Sequence, residues 1–390
     1  MPGHVQHVRK NGKIVPGYWR IFIELGKGID GKRQRLIKYF RGRKEEAERY
    51  KDQLIAELQQ QTYVRPNRIT LGEWLDKWLN DYKKLDLRPT TWENYEYLIR
   101  VHIKPVLGGI ALQSLTTDQI QALYRVKVEQ QLSSSTVRHI HQVIHGALDQ
   151  AIRNRLIPYN PAKGTKLPQL KYSERQALTP EETDRFLTAA QEDRLGAAFI
   201  LLLGTGLRRG ELLALTWRDV DLSRGIIHIR HGVTFTKTAG LYRDRPKTDK
   251  SARTVPLPGV VVSALQAHKD RMLQEENYRL DGPMFCTREG TPIIPRNFNR
   301  TFYRLRKRAG IPNVNLHALR HTFATRLLEM GENLKVVQEL LGHARINITA
   351  DLYAHVSPQL KRRAVAKMNR VLEVGVKMES KNGAGDGSGP

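Results

Sequence analysis

Between Asn160 and Arg175 the chain reads NPAKGTKLPQLKYSER, and no apolar period survives across those residues. Proline fixes φ and removes a backbone donor, so a stretch holding Pro161, Pro168 and three lysines neither continues a helix nor fills a sheet. The residues on either side must build separate cores. Arg65-Pro66-Asn67 makes a second break of the same kind. A chain of 390 residues exceeds what one core usually organises. The expected division is therefore a domain over 1–66, a second over 67–165, a third over 175–378, and a Gly-, Ser- and Asn-rich tail over 379–390 for which disorder is expected. No internal repeat is visible.

The first segment has the period of strands. Asn11-Gly12 is a hairpin signal, Tyr18–Leu25 and Arg35–Phe40 are strand-like runs around a turn at Asp30-Gly31, and Lys44–Gln60 spaces Ala47, Tyr50, Leu54 and Leu58 as a helix does. A small three-stranded sheet carrying one helix is expected. Residues 1–66 hold 15 Lys and Arg against 7 Asp and Glu. Lys32, Arg33, Arg35, Lys38, Arg41 and Arg43 crowd the second hairpin. A basic strand ribbon fits a DNA major groove, which makes these six the DNA-binding candidates; the competing reading is a solvated basic face.

The second segment is helical throughout. Capping boxes at Thr70 with Glu73 and Thr90 with Glu93 open the first two helices, the second ending before Pro105. Leu71, Trp74, Leu75, Trp78, Leu79 and Tyr82 form one apolar stripe. With Thr117–Glu129 and Ser135–Asn154 this makes a unit of four helices, whose Trp and Tyr residues are core. His141 and His145, with His139 nearby, suggest a metal site at i, i+4 spacing, but no carboxylate or Cys is read at a matching position.

The third segment is mixed and mainly helical. Thr179-Pro180-Glu181-Glu182 is a capped helix start. Helices are expected over about 180–190, 196–204, 259–276, 295–309, 316–330, 334–341 and 359–374, with strands at 225–230 and 252–257. The fold class is multidomain α+β.

The whole chain carries 65 Lys and Arg against 39 Asp and Glu, a formal charge of +26. A polyanionic partner follows, and nucleic acid fits best because the basic residues are spread along the chain instead of gathered on one amphipathic segment. The single Cys286 permits no internal disulfide, and a reducing compartment is expected. No window approaches a bilayer span and the N-terminus lacks the apolar core of a signal peptide, so a soluble, intracellular protein is expected.

Chemistry concentrates in the third segment. Arg208 follows Thr205-Gly206-Leu207, where a turn hands over to a helix and a fixed backbone can aim the side chain at an anion. Glu211, one turn on, is placed to orient a guanidinium or imidazole. Lys247 lies in RPKTDKSARTVPL, a turn leading into a strand. His317 and Arg320 stand three apart in HALRHTFAT, His343 follows Leu-Gly, and Tyr353 comes ten residues later. Singly, Arg208 and Lys247 would be surface residues. As a set, TGLRRGEL, PKT, HALRHTFAT and LLGH with Tyr353 resemble, one after another, the signatures of the tyrosine recombinases, the phage-integrase family, over about residues 177–375. The helical segment resembles the family's core-binding domain. The basic hairpin segment is similar to the arm-binding domain of integrases from temperate phages and conjugative transposons. Ala318 departs from the family, where Asp is frequent between the His and the Arg.

Attack of a tyrosine oxygen on a phosphodiester builds charge on the non-bridging oxygens, and Arg208 and Arg320 can each grip them bidentately without a metal. Tyr353, with a reference pKa of ~10, needs a base or a positive field. His317 is the candidate base. The resemblance implies Lys247 as the acid for the departing 5′ oxygen, and His343 would bond the phosphate or position the nucleophile. No cofactor is expected. The resemblance further implies double-stranded DNA with core and arm sites, a homotetramer in the synaptic complex, a C-terminal helix at 359–374 docked on a neighbour, and an excisionase or DNA-bending accessory protein.

The implied activity is site-specific strand exchange through a 3′-phosphotyrosyl intermediate, serving integration and excision of a mobile element. Three rivals remain. A metal-dependent hydrolase could use His317 and His321, but Ala318 stands where that motif needs Glu. A type IB topoisomerase shares the chemistry on one duplex. An inert DNA-binding regulator would keep only the fold.

Overall fold

The structure, a computed structural model, describes residues 2–27, 33–60, 63–64, 66–170, 177–244, 252–311 and 313–343. They fall into two compact units, one within residues 1–172 and the other within 173–390. Lys32, Lys247, Tyr353, the helix expected at 359–374 and the tail lie outside the described residues.

The first unit begins with an antiparallel sheet of β1 (Gly3–Lys10), β2 (Lys13–Lys27) and β3 (Arg33–Arg41), in that order. Asn11 and Gly12 both have positive φ, 49° and 78°, which is what a primed two-residue hairpin demands. Strand alternation puts Trp19, Ile21 and Ile23 of β2 on one face, where α1 (Lys44–Gln59) covers them with Ala47 and Leu54.

The helical part has its own core. α2 (Leu71–Lys77) is opened by the Thr70–Glu73 box and runs into a π-helical turn, Trp78–Lys83. α3 (Pro89–Tyr97) starts earlier than expected. Pro89 takes the first turn, where its missing N–H costs nothing, so Arg88 is the N-cap and Thr90 lies inside the helix. Nor does this helix stop before Pro105. A second π-helical turn, Leu98–Ile103, leads into α4 (Lys104–Leu107), and Pro105 again occupies a first-turn position.

α5 (Thr117–Glu129) and α6 (Ser134–Arg153) complete the unit. Trp74, Trp78, Ile120, Tyr124, Ile140, Ile144 and Leu148 are buried together, and the Trp74 indole donates to the Ala147 carbonyl at 2.8 Å. The stretch after Asn160 is only partly a linker. Asn160 donates to the His145 carbonyl at 3.1 Å and Asp149 Oδ1 at 2.7 Å, Thr117 Oγ1 donates to the Pro161 carbonyl at 2.8 Å, and Arg138 Nε to the Pro168 carbonyl at 3.1 Å. Residues 160–168 are thereby pinned to α5 and α6 by side chains whose pairing has no signature in a hydrophobic pattern.

The second unit packs helices around a small sheet. α7 (Pro180–Gln191) starts at the Thr179–Glu182 box. α8 (Gly196–Thr205) is apolar almost all round and correspondingly buried. The short α9 (Arg209–Ala214) leads to β4 (Val220–Asp221) and β5 (Ile226–Ile229). A hairpin of β6 (Gly232–Thr236) and β7 (Gly240–Asp244) follows, unforeseen in the sequence, then β8 (Arg253–Pro256), which pairs antiparallel with β5.

α10 (Gly259–Gln274), α11 (Pro295–Arg308), α12 (His317–Glu329) and α13 (Leu334–Leu341) complete the described residues. Phe199 of α8 stacks on Phe298 of α11 at 4.8 Å and meets Phe186 of α7 edge-on at 5.7 Å. Ala324, Leu328, Val337 and Leu341 lock α12 to α13. Among the described residues no helix is long and apolar enough to cross a membrane.

Candidate active site

The site begins where α8 stops. Gly206 is the left-handed C-cap, with φ of 63°. A Cβ there would lie 2.5 Å from Phe323 and 2.8 Å from Leu341, so both conformation and space require glycine. The turn delivers Arg208 in extended conformation as the N-cap of α9. Its backbone N–H donates to Glu211 Oε2 at 2.9 Å and its Nη1 to Oε1 at 2.7 Å. Glu211 orients a guanidinium, as its spacing suggested. α9 itself can approach β6 because residue 210 is glycine; a Cβ would meet the Val233 carbonyl at 2.9 Å.

Arg320 rises from α12 and is 3 % exposed. Its Nη1 donates to the Gly206 carbonyl at 2.6 Å and its Nη2 to the Leu341 carbonyl at 2.7 Å. It thus joins the C-terminal ends of α8 and α13, where the helix dipole favours a cation. Burial, with the charge of Arg208 added, pushes Arg320 down to about 9, which still leaves it charged at neutral pH. These bonds occupy two of the five N–H donors of a guanidinium.

His317 lies one turn before Arg320, its ring 4.7 Å from that of His321 and edge-on to it. His343 follows the left-handed C-cap Gly342 of α13 and is held through its backbone, its N–H donating to the Gln338 carbonyl at 3.1 Å and its carbonyl accepting from Gln338 Nε2 at 2.9 Å. Burial first, then the charges of Arg320 and Arg208, push the imidazole down to about 3. It is a neutral hydrogen-bonding group at physiological pH. A cleft of about 390 Å³ is lined by Arg208, Arg209, Asn299, His317 and Arg320.

The structure therefore gathers Arg208, Glu211, His317, Arg320 and His343, and does not describe Lys247 or Tyr353. Sequence reasoning passed over Arg253, the first residue of β8. Its Nε donates to the Leu340 carbonyl at 2.7 Å, its Nη2 to Glu211 Oε2 at 3.0 Å and its Nη1 to Glu211 Oε1 at 3.3 Å. Burial would raise the Glu211 carboxyl, but the charges of Arg253 and Arg208 outweigh it and hold the group below the usual carboxylate range. With Arg208 Nη2 donating to the Gly342 carbonyl at 3.2 Å, three consecutive carbonyls, 340 to 342, each receive one arginine. An arginine opening an apolar strand carries no signal in one sequence; its buried partners, far along the chain, give it away.

The basic face of the N-terminal sheet is rearranged by strand alternation. Arg33, Arg35 and Arg41 occupy alternate positions of β3, whose register sets Arg41 against Tyr18 and Tyr39 against Arg20. Arg20 lies 4.7 Å from the centroid of Phe22, and Arg41 5.1 Å from that of Tyr18. Lys38 is on the other face, with its Nζ 5.8 Å from the Tyr63 ring, and Arg43 is the N-cap of α1. Tyr18, Arg20 and Tyr39 thus join Arg41 on one face, and none of the three is among the six candidates of the second hairpin.

The metal reading of α6 overlooked Asp149, a carboxylate one turn beyond His145; its Oδ2 lies 3.2 Å from His145 Nδ1. That pair also receives Asn160, and among the described residues no group of three or more His, Cys, Asp or Glu could hold a metal.

Comparison with known proteins identifies the relatives of the chain. The Phage integrase family profile matches residues 176–359, and the profile of the phage integrase N-terminal SAM-like domain matches 70–127. A tyrosine recombinase XerC-like protein of Caldanaerobacter subterraneus subsp. tengcongensis is 33 % identical over 384 residues, covering 92 % of this chain and 97 % of that protein. The Tn1549 transposon integrase in complex with a circular intermediate DNA superposes with a TM-score of 0.66 at 26 % identity, covering 78 % of this chain and 99 % of that one. A lambda integrase tetramer bound to a Holliday junction shares the fold, with a TM-score of 0.59 at 22 % identity over 86 % of this chain and 92 % of that one.

Proposed function

The chain belongs to the phage integrase family of tyrosine recombinases, enzymes that cleave and rejoin DNA strands, and from that premise we propose that Arg208, Lys247, His317, Arg320, His343 and Tyr353 form its catalytic set. It is a site-specific DNA recombinase that works through a 3′-phosphotyrosyl intermediate and integrates and excises a mobile element. The observation that carries the assignment of residues is the convergence of Arg208, His317 and Arg320 on one cleft, with His343 fixed at the end of α13.

The chemistry follows from those groups. The Tyr353 oxygen attacks phosphorus in line and passes its proton to His317. The phosphorus to O5′ bond breaks, and the leaving oxygen takes a proton from Lys247. Charge building on the non-bridging oxygens is met by Arg320, buried and held by two carbonyls, and by Arg208, held by Glu211 and the Gly342 carbonyl, so little reorganisation is needed. Neutral His343 donates to a phosphate oxygen. The covalent link stores the energy of the broken bond, and a 5′ hydroxyl from a second duplex reseals it by the reverse steps.

Double-stranded DNA is the partner, with the helical part of the first unit and the second unit at core sites and the N-terminal sheet at arm sites. Four protomers synapse two duplexes, and an excisionase or DNA-bending protein biases direction. Attaching two DNA-binding parts to one chain makes the second contact intramolecular, which raises affinity by local concentration alone. Activity places the protein at the nucleoid.

A nicked duplex that traps the covalent intermediate tests the assignment. The native chain should become attached to DNA through Tyr353, in EDTA as well as without it, and Tyr353→Phe should bind the same DNA without attachment. Attachment of the Phe variant would overturn the choice of nucleophile.

A further inference from the structure

Among the described residues Arg253 makes the least exposed ion pair, with Glu211, its side chain 8 % exposed against 10 % for the glutamate. We infer that Arg253 is a positioning residue of the strand-cleavage site, holding the Glu211 carboxylate and the end of α13 in register so that Arg208 presents a fixed, uncancelled charge to the phosphate. The inference rests on the function proposed above.

Two observations carry it. First, Glu211 accepts from both Arg253 and Arg208, Nη2 and Nη1 of Arg253 at 3.0 and 3.3 Å and the backbone N–H and Nη1 of Arg208 at 2.9 and 2.7 Å. A carboxylate serving Arg208 alone would orient it and also neutralise it. Shared with Arg253, the same carboxylate orients Arg208 while the cluster keeps a net positive charge for an anion.

Second, Arg253 joins two described segments that border the stretches of sequence holding the remaining reacting groups. It opens β8, directly after the stretch containing Lys247, and its Nε donates to the Leu340 carbonyl at 2.7 Å, just before the stretch leading to Tyr353. Gly342 makes room for this: a Cβ there would lie 2.8 Å from Arg253 Nη1 and 3.1 Å from Cζ. The fork geometry of guanidinium matters here, because a lysine ammonium reaches one of these acceptors but does not span them.

The experiment uses the full chain on nicked duplex DNA and reads two quantities, the single-turnover rate of covalent attachment at saturating DNA and the Kd for DNA. Arg253→Ala should slow attachment by about 10²-fold, the scale of a small misplacement at a reacting centre, with Kd changed by less than about threefold. Arg253→Lys should recover only part of the rate. In a Glu211→Gln background the effect of Arg253→Ala should shrink, because both changes act on the same guanidinium. Multiplying losses, or attachment by Arg253→Ala and Arg253→Lys at the native rate, would overturn the inference. If Arg253→Ala does not fold, the Arg253→Lys and Glu211→Gln cycle decides by the same criterion. A native chain that forms no adduct would instead refute the proposed function, and this inference with it.

Discussion

Arg208 Nη2 donates to the Gly342 carbonyl at 3.2 Å across a sequence separation of 134 residues. That bond ties the turn after α8 to the end of α13, and Arg320 makes a parallel tie by donating to Gly206 and Leu341. Arg320 is thereby aimed by backbone carbonyls at two helix ends, and Arg208 by one such carbonyl together with the buried Glu211 carboxylate. Preorganised charge of this sort is what a phosphoryl transition state requires.

Removal of either guanidinium should therefore cost rate more than affinity. Arg208→Ala and Arg320→Ala are expected to lower single-turnover cleavage by about 10² to 10³-fold, the range for loss of one oxyanion-type donor. Gel-shift affinity for the same duplex should change far less. Equal losses in rate and affinity would mean that these arginines only bind DNA.

Gly206 gives a stability prediction at the same place. Gly206→Ala forces a left-handed residue to carry a Cβ 2.5 Å from Phe323. Overpacking of this kind costs about 1–3 kcal/mol, and the left-handed conformation about 1–2 kcal/mol. The denaturation midpoint should fall together with cleavage. An unchanged midpoint would show that Phe323 and Leu341 move aside freely.

Much of this was legible in the sequence because it is local. The Asn11-Gly12 turn, the Thr70 and Thr179 caps and the buried α8 each follow from residues within a few positions of one another. Arg208, Glu211, His317, Arg320 and His343 were marked by their motifs. Long-range pairings were not legible: Arg253 with Leu340, Asn160 with His145, and the β6–β7 hairpin depend on partners that periodicity does not name. The two π-helical turns that carry helices past expected boundaries were invisible for a related reason, since a pattern read at 3.6 residues per turn contains no term for an inserted residue.

Alternation in the N-terminal sheet separates two sets of basic residues, and DNA binding should respect that. Arg20→Ala and Arg41→Ala, on the face with Tyr18 and Tyr39, should weaken arm-type DNA binding and lower the slope of log K against log salt by about 0.9 for each phosphate left without its cation. Lys38→Ala, on the face toward α1, should leave the slope unchanged. The reverse ranking would place the DNA on the other face.

His343 supplies a prediction whose sign is fixed by its environment. Burial and the neighbouring arginines push it down to about 3, whereas in the unfolded chain it titrates near its ordinary value, about 6.5. Between those values the unfolded state binds a proton that the folded state does not, so His343 disfavours folding increasingly as pH falls from about 6.5 toward 3. Above that window it contributes no pH dependence. The gap in melting temperature between the native chain and His343→Gln should shift in favour of the variant as pH is lowered from 7 to 4. Phosphate oxygens near the same imidazole act in the opposite sense, because a bound phosphodiester offsets the arginine charges and stabilises the protonated form. Imidazole resonances of His343 should accordingly report a neutral ring at pH 5 in the free protein and an upward shift of its titration on binding a core-site duplex; a ring already charged at pH 5 without DNA would contradict the burial and arginine contacts that define the site.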